Sequence, residues 1–186
     1  MNKKIVIFIS GKGSNAKNLI NYFSDNKELV ISHVFSNNIH SDLNSYLLNT
    51  KVQYFLFEEK EISGKVFDEL KKINPKLIIL AGFLKKIPPS YLSFFKNKII
   101  NIHPSLLPKY GGKGMYGSNI HKKVIQNKES ESGITIHYVS KEYDAGKIIF
   151  QKKIKVDKND TPKKLEEKIH KLEYEYFPKI VESLLT

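Results

Sequence analysis

Residues 98–108 read Lys98-Ile99-Ile100-Asn101-Ile102-His103-Pro104-Ser105-Leu106-Leu107-Pro108. The stretch opens as a buried parallel strand should, in branched aliphatic residues. It then finishes with an amide and an imidazole two positions apart, and proline stops it. Side chains alternate along a strand, so Asn101 and His103 face the same side, about 6.5 Å apart. In open α/β sheets ligands bind beyond the carboxyl ends of the strands. Two polar groups on one face at such an end are placed to reach a single bound molecule. The alternative is a structural histidine satisfied by backbone.

Around this strand, apolar β-branched runs alternate with amphipathic stretches. Strands are expected at Lys4–Ser10, Leu29–Phe35, Val52–Phe57 and Lys76–Leu80. Between them fall helices from Asn15 to near Asn26, over Leu43–Leu48 and over Val66–Ile73, and Pro88-Pro89 opens a short helix because proline fits a first helical turn. This βαβ order implies a parallel sheet with right-handed crossovers. After residue 103 the pattern changes. A Gly-rich loop (Tyr110–Gly117) leads to a helix over Ser118–Gln126, and the strands Gly133–Val139 and Ile148–Val156 are close enough to pair antiparallel. Asp160-Thr161-Pro162 starts a closing helix with Leu165, Ile169, Leu172, Tyr176, Ile180 and Leu184 along one face. The expected fold is α/β: a doubly wound, mostly parallel, Rossmann-like sheet with an antiparallel C-terminal strand pair and a closing helix. With no repeat or linker, residues 1–186 read as one domain.

Composition narrows the function. Hydrophobic residues make 40% of the chain and charged ones 27%, ordinary for a globular protein. No apolar run approaches the roughly 20 residues of a membrane-spanning helix, so no membrane partner is expected. Lys3-Lys4-Ile5-Val6-Ile7-Phe8-Ile9 runs straight into glycines and reads as a strand, not a signal peptide. Zero Cys excludes disulfides and thiol catalysis, and cytoplasm is the natural compartment. The net charge of +12 comes entirely from Lys, 31 of them, without a single Arg. Arg is the usual residue for bidentate recognition of guanine and phosphate, so nucleic acid is not the expected partner. A basic surface attracts small anionic substrates instead.

Ser10-Gly11-Lys12-Gly13-Ser14-Asn15-Ala16 joins the first strand to the first helix. Its glycines allow a tight turn, and the helix N-terminus behind it offers free N–H groups to a phosphate. It formally fits G-x-G-x-x-A, yet the second strand ends Phe35-Ser36-Asn37-Asn38 without the carboxylate a dinucleotide ribose wants. A phosphate-holding loop is favoured over a mere turn. His137 sits mid-strand, as suited to a buried structural role as to a site. His33, His40, His121 and His170 show no metal-ligand spacing, and no metal is expected. Asp144, in Glu142-Tyr143-Asp144-Ala145-Gly146, is by itself a common turn residue.

Taken together, Ile9–Asn15, Val34–Asn37, Leu80–Phe83, Asn101–Tyr110 and Ser132-Gly133 through Asp144-Ala145-Gly146 resemble the folate-dependent formyltransferases. The Asn-x-His-Pro-Ser-Leu-Leu-Pro segment carries the likeness to the superfamily. The Gly-x-Gly-Ser-Asn loop narrows it to the branch acting on glycinamide ribonucleotide. The resemblance implies formyl transfer from 10-formyltetrahydrofolate, as co-substrate, to the amine of that ribonucleotide in purine biosynthesis.

It further implies that Gly13, Ser14 and Asn15 hold the ribonucleotide phosphate and that Glu173 lies near the ribonucleotide. Asn101 and a protonated His103 would face the formyl carbon, with Asp144 paired to His103 and raising its pKa. The loop at residues 140–144, with Leu84, Lys85, Lys86 and Ile87, would form the folate pocket, so that Asn101 and Asp144 serve both substrates. Residues 1–100 would then be the phosphate-binding half and 101–186 the catalytic and folate-binding half. Lys85 and Lys86 stand where relatives often have Arg, and the 110–117 loop is expected to be mobile over the site. Competing implications are a formyltetrahydrofolate hydrolase using similar residues, which normally has an extra N-terminal domain, and the catalytic domain of a tRNA formyltransferase, which carries a further C-terminal one. From another class, a non-catalytic dinucleotide-binding module explains the glycines but not Asn101, His103 and Asp144 together.

Overall fold

The structure is a computed structural model that describes residues 2–38 and 43–186; His40 lies outside the described residues. β1 (Lys3–Ile9) is buried from Ile5 onward and sends alternate side chains to opposite faces. Ile5, Ile7 and Ile9 pack with Leu19 of α1 (Ser14–Tyr22), Leu43 of α2 (Leu43–Leu47) and Ile169 of the closing helix. Val6 and Phe8 pack with Leu70 of α3 (Phe67–Ile73) and Tyr91 of α4 (Pro89–Phe94). Helices therefore cover both faces, which is why the strand carries no polar alternation. Full burial of each such side chain contributes roughly 1.5–3 kcal/mol.

The described residues form one seven-stranded sheet. β2 (Leu29–Ser36), β3 (Gln53–Leu56), β4 (Leu77–Leu80) and β5 (Ile99–His103) lie parallel to β1 in the order β3-β2-β1-β4-β5. The antiparallel pair β6 (Glu131–Tyr138) and β7 (Ile148–Lys155) continues it beyond β5, after α5 (Ser118–Gln126). The winding reverses between β1 and β4, and in such sheets that reversal opens a crevice at the strands' carboxyl ends. The edge strand β7 carries Lys152, Lys153 and Lys155, charges that discourage pairing with a second sheet.

α6 (Pro162–Ser183) is capped as its sequence predicts: the Thr161 hydroxyl accepts from the Lys164 N–H at 3.2 Å and proline fills the first turn. α1 is shorter than expected and stops at Tyr22. The helix is capped at Phe23, and beyond it the Asn26 side-chain oxygen accepts from the N–H groups of Glu28 and Leu29, both at 2.9 Å, in the turn that leads into β2. The segment before α3 is also more wound than expected. A 3₁₀ turn (Glu59–Glu61) passes into a π turn (Ile62–Val66), where the buried Tyr91 hydroxyl donates to the Ile62 carbonyl at 2.6 Å. No described helix is long and apolar enough to cross a membrane.

Candidate active site

β5 delivers Asn101 and His103 to the crevice, and antiparallel pairing sets His137 opposite Asn101 and Thr135 opposite His103. On the other side of β6 the pairing with β7 shifts at this level: Ile136 faces Phe150 and His137 faces Ile148, so Ile149 is the extra, bulged residue of the outer strand. His137 Nδ1 lies 2.9 Å from the Tyr138 carbonyl. A carbonyl only accepts, so Nδ1 carries the proton and Nε2 accepts from the Asn101 amide at 3.1 Å. The same logic orients His103. Its Nε2 donates to the Tyr110 carbonyl at 2.7 Å, which leaves Nδ1 facing the crevice.

Tyr110 holds that carbonyl in place with a left-handed backbone (φ 57°) and a hydroxyl that donates to Glu129 and accepts from Asn127, at 3.0 and 2.8 Å. Thr135 and Gln151 brace the turn after β5 from below. The Thr135 hydroxyl donates to the Ser105 carbonyl at 2.6 Å and accepts from Leu107 N–H and the Gln151 amide at 3.0 and 2.9 Å.

Asp144 arrives from the β6–β7 connection in a left-handed conformation, φ 54°. The connection turns tightly because Gly146 passes directly over Tyr138, where a Cβ would sit 1.7 Å from the carbonyl oxygen. Asp144 Oδ1 stands 3.6 Å from both His103 Nδ1 and His137 Nε2, and Oδ2 accepts from Gly112 N–H at 2.9 Å. At 3.6 Å both contacts are longer than a hydrogen bond, and each becomes an ion pair only when its imidazole is protonated. Burial works to raise the Asp144 pKa, but His137, His103 and the Gly112 N–H together hold it below the usual value.

The expected protonated His103 is corrected here. Burial lowers its pKa below the ordinary histidine value and outweighs the opposite pull of Asp144 and the Tyr110 carbonyl. At neutral pH the imidazole is uncharged, because the crevice removes more hydration than one carboxylate returns.

The loop after β1 lies across the same crevice. Gly13 caps α1 at φ 73°, where a Cβ would also press Leu43 at 3.0 Å, so glycine is required. Ser14 is exposed at the first helical position. Asn15 donates to the buried Glu173 at 2.9 Å, while its own side-chain oxygen is buried with no hydrogen-bond partner among the described residues. Burial raises the Glu173 pKa. His121, buried beside this group, is pushed down to about 4 by desolvation, with Glu166 pulling upward and His170 and His103 downward. The cleft joining Gly13 and Ser14 to Asn101, His103, Asp144 and Glu173 measures about 510 Å³.

A smaller recess of about 60 Å³ shares Asn101, Tyr143 and Asp144 with the cleft and is bordered by residues 85–87 and 140–142. Ile87 is buried and Leu84 half-exposed. Lys85 ties its ammonium to Glu59 at 2.6 Å, and Lys86 lies over the Tyr143 ring at 5.7 Å. The Gly-rich loop borders the cleft through residues 112–117 and closes against the catalytic end through Tyr110 and Gly112. Of the expected site residues, Gly13, Ser14, Asn15, Leu84, Asn101, His103, Asp144 and Glu173 line the cleft, and Lys85, Lys86 and Ile87 line the adjoining recess.

His137 and Thr135 were not separable from structural residues by sequence. The signal that finds them is the β5–β6 register, which sets them opposite the two residues already singled out. Among the described residues no group of three or more His, Cys, Asp or Glu could hold a metal ion.

Residues 3–181 match the protein-family model described as "Formyl transferase". Among curated proteins, the chain is 34% identical to the chloroplastic phosphoribosylglycinamide formyltransferase of Arabidopsis thaliana, over 96% of its own length and 64% of that protein's. It spans 61% of the corresponding Vigna unguiculata protein, under two thirds of either plant relative. It is 32% identical to the phosphoribosylglycinamide formyltransferase of Bacillus subtilis, covering 98% of this chain and 95% of that one. Among solved structures, glycinamide ribonucleotide transformylase 1 of Geobacillus kaustophilus superposes with a TM-score of 0.90 at 28% identity, covering 100% of both chains. The phosphoribosylglycinamide formyltransferase of Anaplasma phagocytophilum gives 0.88 at 33% identity, over 97% of this chain and 85% of that one.

Proposed function

The chain belongs to the formyl transferase family, and on that premise we propose that it transfers a formyl group from 10-formyltetrahydrofolate to the amine of glycinamide ribonucleotide in purine biosynthesis. One observation carries the reading: Asn101, His103 and Asp144 converge at the end of β5 in a cleft that runs on to the Gly13-Ser14-Asn15 helix start. A phosphate at the loop and a folate at the recess would bring an amine and a formyl carbon together between them.

The helix N-terminus and the Gly13, Ser14 and Asn15 groups take the ribonucleotide phosphate, and Glu173 takes its sugar. The recess beside residues 84–87 and 140–144 takes the folate ring. The amine lone pair attacks the formyl carbon, the carbonyl electron pair moves to oxygen, and a tetrahedral intermediate forms. Asn101 donates its amide hydrogen to that oxygen, a contact whose loss typically costs about 2.7–4 kcal/mol. Neutral His103 accepts the amine proton on Nδ1, the nitrogen that the Tyr110 carbonyl leaves unprotonated. The imidazolium so formed is stabilised by Asp144, stands beside the oxyanion as a second donor, and returns the proton as the carbon–nitrogen bond to the folate breaks. Tetrahydrofolate and the formylated amide leave.

In this reading residues 1–186 form one domain, its first hundred residues holding the phosphate and the rest the chemistry. The zero cysteine count supports work in the cytoplasm. The test is the release of tetrahydrofolate from 10-formyltetrahydrofolate with and without glycinamide ribonucleotide. Release that depends on the acceptor supports the transferase; release equally fast without it makes the protein a hydrolase.

A further inference from the structure

Ser10 occupies an unusual place, at the point where the winding of the sheet reverses. It follows β1, whose last residues pair with Ser36 of β2 on one side and Leu80 of β4 on the other. Three loops leave these parallel strands at one level: the 10–15 loop, the Asn37-Asn38 turn and the 81–87 loop. Ser10 bonds to two of them with backbone and side chain alike. Its N–H donates to the Gly82 carbonyl at 3.1 Å, and its hydroxyl oxygen accepts from the Leu84 N–H at 3.0 Å. The hydroxyl hydrogen goes to the Asn37 side-chain oxygen at 2.7 Å, and the Ser10 carbonyl accepts from the Asn38 amide at 2.8 Å.

The Ser10 hydroxyl is thus the one group among these that contacts the 81–87 loop and the Asn37 turn together while sitting at the root of the phosphate loop. Gly82 has φ 75°, a conformation open to glycine, and only beyond it does the loop reach Leu84. Phe83 is buried against Phe8, with ring centroids 5.3 Å apart, so it anchors one flank of the loop while Ser10 fixes Leu84 on the other.

We infer that Ser10 is a positioning residue that couples the two substrate sites: order imposed on the 10–15 loop by an anion is passed through its hydroxyl to Leu84 on the cleft wall, and through it to residues 85–87 that border the folate recess. The inference rests on the proposed function for the identity of the ligands. By linkage the coupling is reciprocal, each ligand tightening the other by the same factor. Removing the hydroxyl leaves both sites built but independent.

Titration calorimetry with tetrahydrofolate, which has no formyl group to transfer, reads the coupling directly when repeated with saturating glycinamide ribonucleotide. In the wild-type protein the ribonucleotide should tighten tetrahydrofolate by about fivefold or more. In Ser10→Ala the factor should fall to within about twofold of unity, with each ligand alone binding within a few-fold of wild type. Ser10→Thr keeps the hydroxyl and should restore the coupling, which a merely structural role would not predict. Asn37→Ala, which removes only the hydroxyl's acceptor, should lose part of it and serves if Ser10→Ala does not fold. Full coupling in Ser10→Ala or in Asn37→Ala, or none in wild type, overturns the inference. Those outcomes leave the transferase standing if wild-type protein still shows acceptor-dependent formyl transfer; loss of that transfer in wild type removes the function itself.

Discussion

His103 donates its Nε2 proton to the carbonyl oxygen of Tyr110 across 2.7 Å, and Tyr110 is itself held by its hydroxyl to Glu129 and Asn127. The chain therefore fixes the tautomer of its central imidazole with main chain, and fixes that main chain with two side chains that follow α5, Asn127 and Glu129. Which nitrogen faces the crevice follows from this contact, and so does the role of base assigned to Nδ1.

Tyr110→Phe should loosen the contact without touching a reacting atom. The Tyr110 carbonyl raises the His103 pKa against the stronger lowering by burial. A weaker bond therefore lets that pKa fall further. Activity needs neutral His103 and is lost as pH drops through its pKa, so the acid limb of the kcat/KM profile should move to lower pH. The plateau should fall a few-fold. An acid limb that stays in place would argue against Nδ1 as the base.

The Asn101–His137 hydrogen bond gives a second expectation. Asn101→Ala should lower kcat by roughly 10²–10³, the usual loss for one oxyanion donor. His137→Phe removes the acceptor that orients Asn101, and about tenfold is expected. Because His137 acts through Asn101, the double variant should be no slower than Asn101→Ala alone. Losses that multiply would show His137 acting independently, through Asp144 or the substrate.

His121 governs a stability effect. Its native pKa of about 4 lies below the ordinary 6.5, so between these values the unfolded chain binds more protons than the native one. Stability contributed by neutral His121 is complete above about pH 6.5 and is lost as pH falls towards 4, on the order of 3 kcal/mol in all. His103, also lowered, adds with the same sign; Glu173, whose pKa is raised, opposes it. Urea denaturation between pH 4 and 7 should show this slope, flattened in His121→Gln. An equal slope in that variant would assign the effect elsewhere.

Much of this arrangement can be read from residues alone, and the remainder has identifiable causes. Asn101 and His103 declare themselves because strand alternation and a terminating proline are local features. That the first five strands run parallel follows from the alternation of apolar runs with helices, whereas their spatial order comes only with the fold. α1 runs short of Asn26 because the chain is capped at Phe23 and Asn26 is already engaged in the turn that leads Leu29 into its pairing with β1. Asp144 is an ordinary turn residue in its own segment; its place between two histidines depends on the β6–β7 connection and on Gly146 packing over Tyr138. His137 depends on cross-strand register, which no single strand encodes. The charge of His103 does not follow from the nearby carboxylate, because burial, the larger influence, appears only when the chain is folded.

The most direct test is single-turnover formyl transfer to glycinamide ribonucleotide by His103→Ala and Asp144→Asn beside wild type, with thermal melting run in parallel. Each variant should melt near the wild-type temperature and transfer the formyl group at least about tenfold more slowly, since each removes a group that acts in the proton transfer and not in the core. Wild-type transfer rates in both variants would contradict the assignment of the chemistry to the end of β5.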